Sequence, residues 1–327
     1  MTKLFTIRIL LPILFLITAI SGFGQVSIPT AGVPVTQNFN TLALSGSANT
    51  WTDNTTISGW YSNRIVYLAD AGTSTTGGLY SYGTAAASER ALGGLSSGSA
   101  SPIFGVRLVN NTGATISGLT LSFRGEQWRQ TANAQILVFE SQIGATALTT
   151  GTWLANTAFN FTALKTGTAG ALDGNAAGNF SVINGTLTAT VANGQEIWLR
   201  WSKTGTTSPG LSIDDISITA NAAISSNADL SNLTLSSGAL SPTFAAATTS
   251  YTASVANGVA SITTTPTAAD INSIITVNGS PVTSGNPSAS IPLSVGANTV
   301  TTIVTAQDAV TTKTYTVTVM MLLFSIT

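Results

Sequence analysis

The stretch Gly125–Arg129 (GEQWR) and the preceding Arg124 bring a carboxylate, an amide, an indole and two guanidinium groups within six residues. Elsewhere the chain is poor in such groups, since only 7% of its residues are charged. An exposed indole can stack on a sugar ring while arginine and glutamate bind hydroxyls. A second interpretation is an internal ion-pair and stacking cluster that anchors the end of a strand, because buried charges must be paired.

Two sets of residues follow from these interpretations. The candidate ligand-binding residues are Arg124, Glu126, Trp128, Arg129, Glu196 and Arg200. For a structural anchor, the expected partners are Glu196, Arg200 and the pair Asp214–Asp215, and Glu89–Arg90 is a further source of charge. The sequence leaves both interpretations open.

Asp214 and Asp215 are adjacent and form a candidate calcium site, because carboxylate oxygens suit a hard cation. The alternative is that one aspartate caps a bulge and the other pairs with an arginine. Two carboxylates fall short of the six to eight oxygens that calcium takes, so a structural calcium is the one cofactor to consider. A glycosidase-like carboxylate pair drawn from Glu126, Glu196, Asp214 and Asp215 is a distant alternative.

Composition removes several function classes. The chain of 327 residues has no cysteine and no histidine, which excludes disulfides, thiol nucleophiles, Ser-His-Asp triads and the usual zinc sites. A net charge of −1 gives no electrostatic case for binding nucleic acid. We therefore expect a non-enzymatic protein whose partners are polysaccharides or cell-surface components.

Both ends of the sequence are unusual. Residues 1–24 combine a basic start, a 12-residue apolar run at Ile9–Ile20 and small residues before Gln25, which predicts a cleaved secretory signal. No membrane span is expected after cleavage, and the protein is predicted to be secreted or displayed on a cell surface. Residues 320–327 (MMLLFSIT) are an atypical apolar tail, and the favoured interpretation is that a longer chain is truncated there. The alternatives are that the tail extends the last strand or covers an open edge.

The candidate residues are positioned by short β-strands. Residues 25–222 show apolar alternation broken by turn signals, without helical periodicity, which predicts one all-β sandwich of jelly-roll type. Leu119, Leu121 and Phe123 follow Asn110–Gly113, and a hairpin with the strand around residues 104–108 is expected. The apolar phase slips near Asp214–Asp215, which predicts a β-bulge.

After a linker at residues 220–226, a second all-β unit spans residues 227–319. Its seven or eight short strands in about 90 residues are on the scale of an immunoglobulin-like sandwich. Asn278–Gly279 predicts a two-residue hairpin turn.

This second unit resembles the cadherin-like β-sandwich domain of secreted bacterial proteins. The segments that carry the resemblance are Leu230–Leu240, Ser241–Phe244, Thr249–Tyr251, Ile275–Gly279, Leu293–Asn298 and Lys313–Val319. The resemblance implies a spacer or repeat without catalysis. It does not imply calcium here, because Asp229, Asp270 and Asp308 are isolated in the sequence.

The first unit resembles the N-terminal jelly-roll-like module of large secreted bacterial proteins. The matching segments are Gln37–Leu42, Ile57–Trp60, Gly77–Tyr80, Glu89–Gly93, Gly125–Arg129, Ala171–Asn175, Gln195–Trp201 and Gly210–Ile216. In those proteins the enzymatic part is a separate domain further along the chain. The predicted function is therefore adhesion or presentation within a larger extracellular assembly or multidomain chain, with carbohydrate binding through the region Arg124–Arg129 as the alternative.

Overall fold

A computed structural model describes residues 24–205 and 208–323. The chain divides into two compact units, residues 1–222 and 223–327. Nearly all regular structure is β-strand, which confirms the all-β prediction. The predicted signal segment 1–24 lies almost wholly outside the described residues. Within the part of the chain that the structure describes, no helix is long and apolar enough to cross a membrane.

The strands of the first unit are short at its start and long in its second half. In chain order they are β1 (Val26–Ile28), β2 (Pro34–Gln37), β3 (Asn49–Thr50), β4 (Trp60–Ser62), β5 (Val66–Asp70), β6 (Gly78–Tyr82), β7 (Ala91–Leu95), β8 (Ile103–Asn110), β9 (Ile116–Gln130), β10 (Ile136–Ile143), β11 (Leu154–Ala155), β12 (Phe161–Thr162), β13 (Gly170–Ala171), β14 (Phe180–Val191), β15 (Glu196–Lys203) and β16 (Gly210–Ala222). One 3-10 turn, Thr157–Phe159, lies between β11 and β12.

These strands form two sheets. Sheet I has seven strands in the order β1-β8-β15-β10-β11, with β4 paired to β8 and β12 paired to β10. Sheet II has nine strands in the order β13-β9-β16-β7-β6-β5-β3, with β14 paired to β9 and β2 paired to β16. Most pairs are antiparallel, and β1-β8 and β5-β6 are parallel.

One apolar core contains buried side chains from both sheets. Trp201 of β15 is its centre, and its ring lies against Phe104, Phe123 and Phe139 at centroid distances of 6.2, 5.5 and 5.2 Å. Side chains alternate across a strand, so the apolar positions of β9 and β15 face this core. The next residues along each strand point to the opposite face of their sheet.

The expected hairpin between β8 and β9 is wrong. β8 belongs to sheet I and β9 to sheet II, so the turn around Asn110–Gly113 carries the chain from one sheet to the other. Asn110 is buried, and its side-chain amide donates to the carbonyl oxygens of Ala114 and Val191 at 2.8 and 2.9 Å. Apolar alternation alone cannot tell a hairpin from a crossing between two sheets, because both place apolar side chains towards the same core.

The predicted bulge in β16 is confirmed. The register with β9 shifts between Asp214 and Ser217, and Asp215 has a φ of 48°. Aspartate tolerates this left-handed conformation better than most residues. The bulge lets Ile213 and Ile216 both reach the core and turns Asp214 and Asp215 in different directions.

The described residues of the second unit form nine strands. They are β17 (Leu230–Leu235), β18 (Ser250–Val255), β19 (Ser261–Ile262), β20 (Thr264–Ala268), β21 (Ile274–Val277), β22 (Ser280–Val282), β23 (Ile291–Pro292), β24 (Gly296–Thr305) and β25 (Thr312–Met321). Its main sheet has the order β18-β25-β24-β21-β22, and β17-β20 and β19-β23 form two-stranded pairs. The turn at Asn278–Gly279 joins β21 and β22, as predicted, with positive φ at both residues.

Tyr315 is fully buried in the core of this second unit. Its hydroxyl accepts a bond from the amide of Leu230 at 3.0 Å and donates to the carbonyl of Ala246 at 2.9 Å. The tail begins inside the last strand, because β25 ends at Met321 rather than at Val319. Met321 pairs with Gly296 and is buried, so this part of the tail extends the strand. Residues 324–327 lie outside the described residues.

Candidate functional site

Glu126 and Trp128 of β9 lie on the face of sheet II that points away from the core. Leu119, Leu121 and Phe123 of the same strand are in the core, and the two sets are separated by the alternation of the strand. Trp128 belongs instead to a small separate cluster with Tyr80, Tyr82, Ala91 and Leu95. Glu126 and Trp128 therefore form part of a second, outer layer of the unit.

Trp128 is completely buried in this outer layer. Its ring stacks on Tyr82 at a centroid distance of 6.0 Å, and its Nε1 donates to Oε2 of Glu126 at 3.0 Å. Gly174 lies against the other part of the ring, where a Cβ would come within 2.3 Å of the indole. The interpretation of Trp128 as an exposed sugar platform is corrected, because the loop that contains Gly174 covers it.

Gln127 and Arg129 hold neighbouring loops. The Gln127 side chain is buried, accepts bonds from the amides of Leu164 and Lys165 at 2.7 and 2.8 Å and donates to the Lys165 carbonyl at 2.8 Å. Arg129 donates to the carbonyl of Gly72 at 3.0 Å. Gln127 was not among the predicted site residues, because a neutral amide gives no signal of burial in a sequence.

Three carboxylates from neighbouring strands meet beside Trp128. Glu89 precedes β7, Glu126 lies in β9 and Asp214 in β16, and one oxygen of each lies within 4.8 Å of the others. Glu126 and Asp214 are 0% and 2% exposed, and Glu89 is half-buried. We call these three residues the carboxylate cluster. Glu89 was predicted only as a charge partner, since its distance along the chain hides its position beside the other two.

Each carboxylate of the cluster is held differently. Glu126 accepts the Trp128 indole bond through Oε2, and its Oε1 lies 3.2 Å from Nη2 of Arg124. Glu89 accepts a bond from the side-chain amide of Asn175 through Oε2. Oε1 of Glu89 and Oδ1 of Asp214 are buried and have no hydrogen-bond partner. The cluster therefore contains acceptors that no protein donor satisfies.

Arg124 forms the edge of the cluster. Its guanidinium lies over the Phe180 ring at 4.1 Å, donates to Oδ1 of Asn175 at 3.0 Å and is 4.0 Å from Oδ2 of Asp215. The Asp215 side chain is 57% exposed and is not part of the cluster. The two aspartates of the predicted calcium site are thus separated by the bulge, and only Asp214 joins the other buried carboxylates.

Burial also changes the acidity of the cluster. Desolvation raises the pKa of Glu126 to about 7, against the opposing effects of the Trp128 hydrogen bond and the Arg124 charge. Desolvation and the contact with Glu89 raise the pKa of Asp214 to about 9. In both residues burial disfavours the charged form, because little water reaches it.

Glu196 and Arg200 are not partners of the GEQWR stretch, which corrects that prediction. Both lie in β15 of sheet I, whereas β9 belongs to sheet II. Glu196 pairs with Arg107 at 2.6 Å, and Arg200 pairs with Glu140 at 2.8 Å. The alternation of β15 places them with Trp198 on the face opposite Trp201, so the core of the unit lies between them and β9.

The geometry limits what the cluster can do. A general acid or base must reach the substrate atom that it protonates or deprotonates, and Glu126 and Asp214 are almost completely covered. Buried carboxylates with free acceptor oxygens can instead hold a shared proton or a hard cation.

Comparison with known proteins identifies the second unit. Residues 230–320 match the family model described as "Cadherin-like beta sandwich domain", which confirms the resemblance predicted from the sequence. This domain, in an otherwise all-β chain, fits a non-catalytic surface protein.

A curated relative covers part of the chain. It is a protein of Evansella cellulosilytica with the name "Putative membrane protein", which is 43% identical over 96 residues, 29% of this chain. The match spans only 14% of the length of that relative. The function of the unmatched remainder of that relative is therefore not transferred to this chain.

Two solved structures share a distant likeness. A Bacillus thuringiensis Cry1Da tryptic core variant covers 46% of this chain and 22% of its own, at 12% identity and a TM-score of 0.27. The adhesin domain of Epf from Streptococcus pyogenes covers 72% of this chain and 80% of its own, at 12% identity and a TM-score of 0.23. At these TM-scores neither likeness defines the fold of the chain.

Proposed function

We propose that this chain is a secreted or cell-surface, non-catalytic protein that functions in adhesion. The cadherin-like domain acts as a spacer that presents the N-terminal sandwich to a partner. Two properties support this function. Each unit has its own apolar core, and the second unit matches a domain that fits surface proteins. The partner is a polysaccharide or a cell-surface component outside the chain.

The observation that carries the proposal is the pairing of β18 with β25. These strands run parallel over six residue pairs, from Ser250–Thr316 to Val255–Met321. A force applied at the start of β18 and at the end of β25 pulls the two strands in opposite directions along their axes. All the bonds between them then resist together in shear, whereas an antiparallel hairpin pulled at its open end loses its bonds one at a time.

Force spectroscopy on the full chain tests this proposal. The chain has no native cysteine, so pairs of introduced cysteines give unambiguous handles. Handles at Thr249 and Leu322 load β18 and β25 in shear, and handles at Val295 and Leu322 peel β25 from β24. We expect a clearly higher rupture force for the first pair. Equal forces would contradict a load-bearing role for this domain.

The carbohydrate alternative loses the platform on which it rested, because Trp128 is buried. The distant hydrolase alternative needs two carboxylates that reach a glycosidic bond, and Glu126 and Asp214 are covered while Glu196 lies on the other sheet. A glycan array with the full chain tests the first alternative. Binding that survives Trp128→Ala would place any sugar site elsewhere on the molecule.

A further inference from the structure

In its fully ionised form, the carboxylate cluster carries more negative charge than its one ion pair among the described residues balances. Glu89, Glu126 and Asp214 converge within 4.8 Å, and Arg124 is the basic side chain that forms an ion pair with one of them. The nearby Arg90 guanidinium turns to Ser81 instead, donating to its hydroxyl at 2.8 Å and to its carbonyl. Buried carboxylates without a matching positive charge are strongly unfavourable.

The free oxygens of the cluster give a second and independent sign of a ligand. Asp214 is 2% exposed, and its Oδ1 is buried without a hydrogen-bond partner. Oε1 of Glu89 is likewise buried without a hydrogen-bond partner. Buried polar atoms are nearly always hydrogen-bonded. Two ionised carboxylates cannot satisfy each other, whereas a shared proton or a cation held between them can.

The other oxygens of the cluster are held as they are in metal sites. Trp128 donates to Oε2 of Glu126, and Asn175 donates to Oε2 of Glu89. Metal-ligating carboxylates are commonly oriented by such outer hydrogen bonds. Both bonds leave the Oε1 atoms without a hydrogen bond, although Oε1 of Glu126 also lies 3.2 Å from Nη2 of Arg124. The Arg124 guanidinium limits the net negative charge at one side of the group.

We propose that Glu89, Glu126 and Asp214 bind one Ca²⁺ ion on the outer layer of sheet II. Oxygen-only ligands select a hard cation over zinc or copper. An ion equidistant from three oxygens about 4.0–4.5 Å apart lies about 2.3–2.6 Å from each, the range for calcium. The separations in the cluster are no more than 4.8 Å, which accommodates such a triangle. Calcium also tolerates the irregular geometry of ligands from three strands, whereas Mg²⁺ demands a near-ideal octahedron.

The site joins three strands that are far apart in sequence. Glu89, Glu126 and Asp214 belong to the chain around β7, β9 and β16, which are neighbours in sheet II. A bound ion therefore stabilises the fold by linkage, since it binds the folded sheet and not the unfolded chain. Calcium sites in extracellular modules have dissociation constants of about 0.1–1 mM. We expect a dissociation constant in this range or lower.

Terbium luminescence and calorimetry on the full chain test the proposal. Tb³⁺ stands in for Ca²⁺, and the Trp128 indole, bonded to Glu126 at 3.0 Å, is placed to sensitise its emission. We expect emission on excitation of tryptophan, displacement by Ca²⁺, and one Ca²⁺ per chain by titration calorimetry. Mg²⁺ should displace Tb³⁺ far less well, and equal affinity for Mg²⁺ would overturn the assignment to calcium.

Asp214→Asn and Asp215→Asn are matched variants, because each makes the same substitution at adjacent residues. Only Asp214 belongs to the carboxylate cluster. Asp214→Asn and Glu89→Gln should each weaken Ca²⁺ binding by at least about tenfold. This is the lower end of the losses in metal affinity that follow mutation of residues around a bound metal. Asp215→Asn should leave the affinity within about twofold, since Asn also tolerates a φ of 48°. An equal loss in Asp215→Asn would overturn the site.

Absence of binding is also decisive. Wild type that shows neither sensitised emission nor heat up to about 10 mM Ca²⁺, tenfold above the weakest extracellular modules, would overturn the proposal. The cluster would then hold protons in place of an ion. Circular dichroism of each variant confirms that a loss of binding is not a loss of fold.

Discussion

Glu126 is a carboxyl group with no exposed surface, beside an indole donor and a guanidinium. Its neighbours are the two other carboxylates of the cluster, and burial raises its pKa to about 7. A raised pKa means that the folded state binds the proton more tightly than the unfolded state does. The acidity of this residue is therefore coupled to the stability of the sheet.

This coupling predicts a pH dependence in the presence of a calcium chelator. Glu126 and Asp214 face Glu89, Arg124 and Asp215. Because both pKa values are raised, the free energy of unfolding should fall as pH rises from about 4.5 through about 7 and on towards about 9. Thermal melts between pH 4.5 and 9 measure this slope.

The double variant Glu126→Gln with Asp214→Asn serves as the control for that experiment. It removes both titrating groups, so its melting temperature should vary less with pH than that of wild type. An identical slope in the variant would show that other groups cause the pH dependence.

Trp128→Ala should reduce the free energy of unfolding by about 3–5 kcal/mol, the usual cost of truncating a buried tryptophan. The indole stacks on Tyr82, and its loss leaves Oε2 of Glu126 without its donor. Urea unfolding followed by circular dichroism measures the change. Trp153→Ala is the comparison, since Trp153 is only partly buried, and an equal cost in both variants would contradict the buried position of Trp128.

At the scale of elements, the loop that follows β5 is fixed tightly against β9. Gly72 has a φ of 85°, and a Cβ there would lie 1.7 Å from the carbonyl oxygen of Trp128. Arg129 donates to the carbonyl of the same glycine at 3.0 Å. The loop therefore approaches the strand backbone more closely than any residue with a side chain permits.

Gly72→Ala should therefore destabilise the first unit more than Gly113→Ala. Gly113 has a φ of 83°, but nothing lies within 4 Å of its Cβ position, so both variants share the backbone strain of about 1–2 kcal/mol. The clash at Gly72 should add about 1–3 kcal/mol, as overpacking does. Equal losses in chemical denaturation would contradict the close approach.

At the scale of the whole molecule, the chromophores divide between the units. All six tryptophans precede residue 222, so tryptophan fluorescence reports the first unit alone. The second unit has its own core around Tyr315. Because the two cores are separate, unfolding followed by fluorescence and by circular dichroism should give different transitions.

Tyr315→Phe distinguishes the units. It removes the hydroxyl that bonds to Leu230 and Ala246. This should cost about 1–3 kcal/mol because the buried amide of Leu230 loses its acceptor, whereas the Ala246 carbonyl keeps its bond from Lys313. We expect this loss in the circular dichroism transition, with the tryptophan transition unchanged. A shift of the fluorescence midpoint would show that the two units unfold together.

The sequence predicts those features that depend on near neighbours along the chain. The all-β class follows from strand alternation, the bulge from the slip between Ile213 and Ile216, and the turn at Asn278–Gly279 from residues that accept positive φ. The cadherin-like domain is carried by ordered motifs along one unit. Each of these is a local property of consecutive residues.

What only the tertiary structure decides is which distant residues meet. Glu126 and Glu196 both alternate out of their strands, but β9 and β15 belong to different sheets with the core between them. The same assembly covers Trp128 with a loop and brings Glu89 beside Glu126 and Asp214. Strand order within a sheet depends on long-range pairing, which the period of a single strand does not encode. The sequence by itself therefore determined the polar chemistry of GEQWR, and sheet pairing decided that this chemistry lies inside the fold.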